Sequence, residues 1–418
     1  MNQLSQELWD LTEKVEQKIR PVVAKIQQQA FNNHRKVLAA FAREKVSDYH
    51  LKGSTGYGYG DQGRETLERV MAHVLGAEAA LVRSQIVSGT HAIALALFGV
   101  LRPGDELLCV TGNPYDTLEE VIGLKGKAAG SLMDWQVTYR QVELLPGGIP
   151  DLEAISEAIS EKTRMVAIQR SRGYSWRPSL DIGRLKELIA FIKGVNKDIL
   201  VFVDNCYGEL VEAQEPTEVG ADLIAGSLIK NLGGGLAPTG GYVAGRKDLV
   251  KLAANRWTAP GIGGAVGASL DLNRQLFQGL FLAPHVVGEA LQGAVLTSAL
   301  FSELGFEVSP QYDELRTDLI QAIKLGSGEL LQAFCRGLQQ ASPVDSHVLP
   351  EPWAMPGYRD QVIMAGGTFV QGSTIELSAD GPMREPYAVY LQGGLYREHV
   401  KLGALLAAEN VLSLIKTK

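Results

Sequence analysis

Leu4, Leu8, Leu11 and Val15 recur at helical spacing, and residues 1 to about 47 hold no glycine and a single proline, Pro21, so the chain opens on a helix. That arm (1–50) is too thin for a core of its own and is expected to pack on a partner subunit or on the next domain. The glycine-rich stretch Gly53–Gly63 then reads as a loop. From Arg64 onward apolar stripes alternate with short apolar runs. Helices are expected over 64–76 and 91–101, and strands near 79–83, 106–110, 135–137, 165–169, 200–203 and 223–226. Strands alternating with helices predict an α/β fold with a mostly parallel sheet covered on both faces. A helical region near 265–295 precedes a change of texture. Strands near 307–309, 361–370 and 373–378 are expected there, beside helices over 311–341 and 395–416. The division that follows is a large domain over 51–295 and a smaller C-terminal α/β domain over 296–418.

Composition narrows the function. With 418 residues and 45% hydrophobic content the chain can fill a large core, and a net charge of −7 offers no basic footprint for nucleic acid. Cys109, Cys206 and Cys335 are too few and too scattered for a disulfide framework or a Cys-rich metal site. The histidines show no metal-binding spacing, so no metal is expected. No leader is visible at the N-terminus, and no run approaches about eighteen uninterrupted apolar residues. A cytoplasmic protein with no membrane partner is the expectation.

The most informative position is Lys230, in Ser227-Leu-Ile-Lys230-Asn-Leu-Gly-Gly-Gly235. A lysine after an apolar run is hard to explain by packing, since lysine is seldom buried unless paired. It makes sense as an amine held in a pocket and free to condense with an aldehyde. Upstream, the apolar run Leu200–Val203 ends in Asp204, which places a carboxylate at the carboxyl edge of the sheet. A Schiff-base lysine with a carboxylate for a pyridinium nitrogen is what pyridoxal 5'-phosphate (PLP) requires. Ser88-Gly89-Thr90-His91 leads straight into an apolar helix, where backbone N–H groups and the helix dipole can hold a phosphate; an ordinary N-cap is the plainer reading. Tyr115, in a turn after a strand, could stack on a planar ring or lend a phenol proton. Cys206 would share a face with Asp204 and pack under such a ring, or serve as a small buried residue. Tyr57, Tyr59 and Arg64 flank the glycine loop, and Arg64 suits a phosphate or carboxylate. Arg384 is the candidate for a substrate carboxylate, with Arg170 and Arg172 as competitors. Ser227 and Lys230 also match the S-x-x-K pattern of serine acylases, but its S-D-N and K-T-G companions are missing.

Taken together, Gly56-Tyr-Gly-Tyr-Gly-Asp-Gln-Gly-Arg-Glu-Thr-Leu-Glu68, Ser88–His91, Gly112-Asn-Pro-Tyr-Asp-Thr117, Val203-Asp-Asn-Cys-Tyr-Gly-Glu209, Ser227–Lys230 and Gln392-Gly-Gly394 resemble the fold-type-I PLP enzymes of the cystathionine γ-synthase and methionine γ-lyase class. The branch labelled aluminium-resistance protein or methionine γ-lyase-like is the nearest. The resemblance implies fold-type-I transferase architecture with a seven-stranded-type sheet. It implies a Schiff base on Lys230, a ring-nitrogen partner in Asp204, a phosphate cup from Gly89, Thr90 and Ser227, and Tyr115 over the ring. It also implies a homotetramer built as a dimer of dimers, with the Tyr57/Tyr59 loop crossing a dimer interface at the active site. The sequence departs from the class in two places. Gly-Tyr-Gly-Tyr replaces a Tyr-Ser-Arg loop, with the arginine displaced to Arg64, and Glu376-Leu-Ser378 replaces an Arg-Leu-Ser strand. The expected activity is a carbon–sulfur lyase (β- or γ-elimination) or γ-replacement on a sulfur amino acid such as methionine, cystathionine or homocysteine. An aminotransferase, aldolase or racemase on the same scaffold, or a PLP-binding protein with vestigial catalysis, stays open.

Overall fold

The computed structural model describes residues 4–126 and 129–417, so the first three residues of the helical arm and Lys418 lie outside the described residues. The helices are α1 (Gln6–Arg43), α2 (Gln62–Val74), α3 (Gly89–Val100), α4 (Asp116–Ile122), α5 (Leu152–Ala158), α6 (Ile182–Val195), α7 (Lys247–Trp257), α8 (Asn273–Glu303), α9 (Gly328–Gln340) and α10 (Arg397–Thr417). The strands of the first half are β1 (Ala79–Arg83), β2 (Glu106–Cys109), β3 (Thr138–Gln141), a short hairpin of β4 (Leu144–Leu145) and β5 (Ile149–Pro150), β6 (Thr163–Gln169), β7 (Leu200–Asp204), β8 (Leu223–Ser227) and β9 (Gly241–Gly245). The second half adds β10 (Glu307–Ser309), β11 (Gln321–Lys324), β12 (Val362–Ala365), β13 (Ser378–Pro382) and β14 (Ala388–Gln392).

The large sheet has seven strands in the order β1-β9-β8-β7-β6-β2-β3. It is mixed rather than uniformly parallel, because β9 runs antiparallel to both β1 and β8. β7 and β8 are buried at every position, which matches their continuous apolar runs. One face carries α3 and α7; the other carries α2, α6 and much of α8. A second sheet, fully antiparallel, has the order β10-β11-β14-β13-β12 and packs under α9 and α10.

α8 ties the two sheets together. Its N-terminal half packs into the core of the large sheet, and Val295–Phe301 belong to the core of the small one. It therefore runs straight through position 296. It is long and apolar enough to cross a membrane by length and composition, and most of it is buried inside the protein. α1 lies along α8, with Leu8, Val15, Ile19 and Val23 in the small-sheet core and Val37 and Ala40 in the large-sheet core.

Several boundaries differ from the sequence expectation. Residues 135–137 form a turn, with Gln136 at φ 62, and the strand starts at Thr138. The expected helix over 311–341 begins only at Gly328, because Gly326 is left-handed (φ 79) and Ser327 caps the N–H of Leu330; residues 321–324 are strand. The helix expected from 265 starts at Asn273, since residues 267–271 pack against the glycine loop through Gly267 N–H to Tyr57 (2.9 Å) and Leu270 N–H to Ser54 (3.0 Å). The run 373–378 is largely irregular; Glu376 turns inward and accepts the N–H groups of Phe369 and Val370 at 3.1 and 2.9 Å.

Candidate active site

β7 and β8 pair in parallel, with Asp204 opposite Ala225, so their carboxyl ends deliver Asp204 and Ser227 to one edge. Lys230 follows one turn later. Its amine is partly buried and lies 3.9 Å from the ring centroid of Tyr207, a cation–π contact of about 1–2 kcal/mol. Tyr207 itself adopts a left-handed backbone (φ 70), a strained placement of the kind found at functional sites. A cavity of about 330 Å³ opens beside Lys230, lined among others by Ser88, Gly89, Thr90, Tyr115, Asp204, Cys206, Tyr207, Ser227, Tyr358 and Ser373.

The turn after Lys230 is fixed by close backbone approach. A Cβ on Gly233 would lie 1.8 Å from the Leu228 carbonyl oxygen, and one on Gly234 (φ 53) 2.2 Å from that of Gly279 in α8. Glycine is needed there for space as well as for conformation.

Electrostatics at the lysine differ from expectation. Burial lowers its pKa, but Cys206, Tyr207, Asp204 and Glu209 surround it and carry the net value above that of an ordinary lysine. Before any partner binds, the amine is an ammonium ringed by acids rather than a base depressed by burial. Burial raises the Asp204 carboxyl, against the pull of Lys230 and of the Cys206 N–H, which donates to Oδ1 at 3.1 Å. Burial likewise keeps Tyr115 protonated far above the usual phenol range. Its hydroxyl meets that of Tyr358 at 2.9 Å, and its ring lies 5.7 Å from Tyr174.

Other sequence candidates fall into different places. Ser88 Oγ accepts the His91 N–H at 3.0 Å, so it is the N-cap of α3, and His91 Nδ1 accepts the Val87 N–H at 3.2 Å. Thr90 Oγ1 is 2.8 Å from Thr117 Oγ1. The first N–H groups of α3 have no partner within the helix and point the positive end of its dipole at the cavity. Tyr57 and Tyr59 stack on one another 5.5 Å apart, at 73% and 72% exposure, away from this cavity. Arg64 is buried and spends Nη1 on the carbonyls of Gly58 and Gly267 at 2.7 and 2.8 Å. It holds the glycine loop to residues 267–268 instead of facing the cavity. Arg384 lines a second cavity at the mouth and pairs with Asp360 at 2.8 Å. Arg170 is buried and tied to Asn205, Gly208 and Glu212.

Sequence reading missed Tyr207, Tyr174, Tyr358, Glu209 and Asp380. Asp380 Oδ2 accepts from Tyr174 (3.0 Å) and Gln392 (3.1 Å), and burial pushes the carboxyl up to about 6. Glu209 is buried behind Lys230, takes the Tyr242 hydroxyl at 2.8 Å, and burial lifts it to about 8. Since its folded pKa lies above the ordinary 4.5, the folded state holds a proton that the unfolded chain releases. Glu209 therefore subtracts stability as pH rises from about 4.5 to about 8. Glu209→Gln should remove that loss, on the order of 4 kcal/mol at the upper end. Urea unfolding at pH 5 and pH 8 reads it: the variant should show the smaller drop between the two, and an equal drop refutes the assignment.

The residues present fit PLP. A Cβ on Gly89 would lie 3.2 Å from Cys206 Sγ and 3.6 Å from Ser227 Cβ, so the glycine keeps clear a cradle between the start of α3 and the end of β8. A buried carboxyl group and a primary amine border the same space.

The chain is similar to several known proteins. A Bacillus subtilis relative, the uncharacterized protein YnbB, is 53% identical over 400 residues, covering 96% of this chain and 95% of the relative. The solved structure of a carbon-sulfur lyase involved in aluminum resistance from Clostridium novyi is 49% identical, covers 97% of this chain and 96% of its own, and superimposes with a TM-score of 0.93. L-methionine gamma-lyase from Pseudomonas putida is 31% identical over 216 residues, 51% of this chain and 46% of that protein. The family model for methionine gamma-lyase matches residues 8–412, and the chain belongs to that family.

Proposed function

We propose that this protein is a PLP-dependent carbon–sulfur lyase acting on a sulfur amino acid by β- or γ-elimination, with γ-replacement on the same site. The observation that carries the reading is the Lys230 amine sharing one cavity with the buried Asp204 carboxyl group at the carboxyl edge of the sheet. Family membership and the lyase relatives support the class of reaction.

PLP at this site supplies an electron sink for the substrate's α-carbon. Gly89, Thr90 and Ser227 would hold its phosphate, and Asp204 its ring nitrogen. Lys230 would be its covalent anchor, and its amine is the group placed to take and return a substrate proton. Its ammonium form, favoured by the surrounding acids, must first give up a proton, and Asp204 is the buried carboxylate at hand. Tyr115, neutral through burial, is a proton donor for the departing thiolate. Tyr358 sets the direction of that phenol, while the Tyr174 and Tyr358 rings, 5.8 Å apart, keep bulk water from it. Tyr115→Phe should lower kcat about 10²- to 10³-fold with little change in KM, measured by thiol release.

The exposed Tyr57/Tyr59 pair, held rigid by Arg64, is proposed to enter the cavity of a second copy across a dimer interface, in a dimer of dimers. The test of function is direct. Protein with PLP and methionine or cystathionine should release thiol and a 2-oxo acid in equal amounts. Amino-group exchange without thiol would instead make it an aminotransferase.

A further inference from the structure

The mouth cavity, about 510 Å³, shares Tyr115 and Gln169 with the lysine cavity and brings Arg172, Arg359 and Arg384 together with Asp116, Glu119 and Asp360. Two of its arginines are in contrasting states. Arg384 is half-exposed and already paired with Asp360. Arg172 is 1% exposed, and its Nε and Nη1 have no hydrogen-bond partner among the described residues. The Asp318 carboxylate does not satisfy it: Oδ2 takes the backbone N–H of Arg172 at 3.3 Å, and Oδ1 takes that of Ile320 at 2.9 Å. A buried guanidinium with two of its nitrogens left without hydrogen bonds is costly, so its retention beside a cavity calls for an anion that arrives there. The small-domain position where an arginine could have served holds Glu376 instead, committed to the backbone of Phe369 and Val370.

We propose that Arg172 is the anion-holding residue of the mouth cavity and receives a carboxylate of the amino-acid substrate. That the anion is a carboxylate rests on the lyase reading; that an anion belongs there rests on the guanidinium alone. Its planar fork matches a carboxylate, which a lysine at the same place would not.

The test uses a probe that needs neither PLP nor turnover: 4-(methylthio)butanoate, the methionine skeleton without its amino group, titrated calorimetrically against the purified protein. The neutral alcohol 4-(methylthio)butan-1-ol is the control. Arg172→Met should weaken the acid about 10- to 100-fold, and Arg384→Met much less. If Arg172→Met unfolds, Arg172→Lys replaces it, and the wild-type melting temperature should rise with the acid and not with the alcohol. KM values for methionine and cystathionine then locate the group. A rise for both in the variant assigns the α-carboxylate; a rise for cystathionine alone assigns its distal one. Equal binding of the acid by wild type and variant, equal binding of acid and alcohol, or loss in Arg384→Met instead overturns the proposal. Probe binding that depends on Arg172 in a protein releasing no thiol would keep the anion site and reject the lyase. Turnover with probe binding indifferent to Arg172 would do the reverse.

Discussion

Lys230→Ala should abolish thiol release, by at least about 10³-fold, and should remove the visible absorbance acquired when the wild-type protein is mixed with PLP. The same substitution has a second consequence. It withdraws the cation that faces the buried carboxyl groups of Asp204 and Glu209. Removing one partner of a buried charged set costs about 3–5 kcal/mol. The sign follows from linkage. The lysine's folded pKa is raised, so its stabilising contribution is full below the ordinary value of 10.5 and is lost only at more alkaline pH. Without it the carboxyl groups of Asp204 and Glu209 rise further, and the variant should lose stability with increasing pH between 5 and 8 more steeply than the wild type. Lys230→Arg separates the two effects: it retains the positive charge but offers no primary amine. It should be as inactive as the alanine variant and less steeply pH-dependent. Thiol release by either variant at more than about a hundredth of the wild-type rate would reject the role given to this amine.

Gly279→Ala is expected to be the most damaging change outside the cavity. The new methyl would stand 2.2 Å from the Gly233 carbonyl oxygen, and backbone atoms on both sides cannot rotate away. Overpacking of this kind costs about 3 kcal/mol or more. Relief requires α8 to move off the turn that carries Lys230, so kcat should fall together with stability. Gly194→Ala is the matched control, near the end of α6 with nothing within 4 Å of the added carbon. Trading glycine for alanine in an unobstructed helix should stabilise by up to about 1 kcal/mol. Chemical denaturation of the two variants side by side distinguishes a steric effect from general intolerance of substitution.

Lys230 and Asp204 were legible from sequence because a charge at the end of an apolar run has few packing explanations. The strands β7 and β8 were legible for the same reason, as short apolar runs buried at every position, and β6 by its apolar centre Met165–Ile168. β9 was not, because glycines at both of its ends (Gly241 and Gly245) disguise a central strand as a turn. Tyr358 and Asp380 carry no local signature; they reach the lysine only through the pairing of β13 with β14 and a long connection before β12. Arg64 shows the opposite failure. Its place beside a glycine loop suggested a ligand, whereas its Nη1 is spent on the loop carbonyl of Gly58 and on that of Gly267. The acids around Lys230 come from one short segment, Asp204–Glu209, and their combined effect on the amine needs three-dimensional proximity that spacing along the chain does not reveal.

α8 contributes side chains to both halves of the molecule without a break between them. Rotation of one half against the other would have to bend a continuous rod whose sides are wedged into two interiors. Thermal melting should therefore trace a single transition in which neither half survives the other.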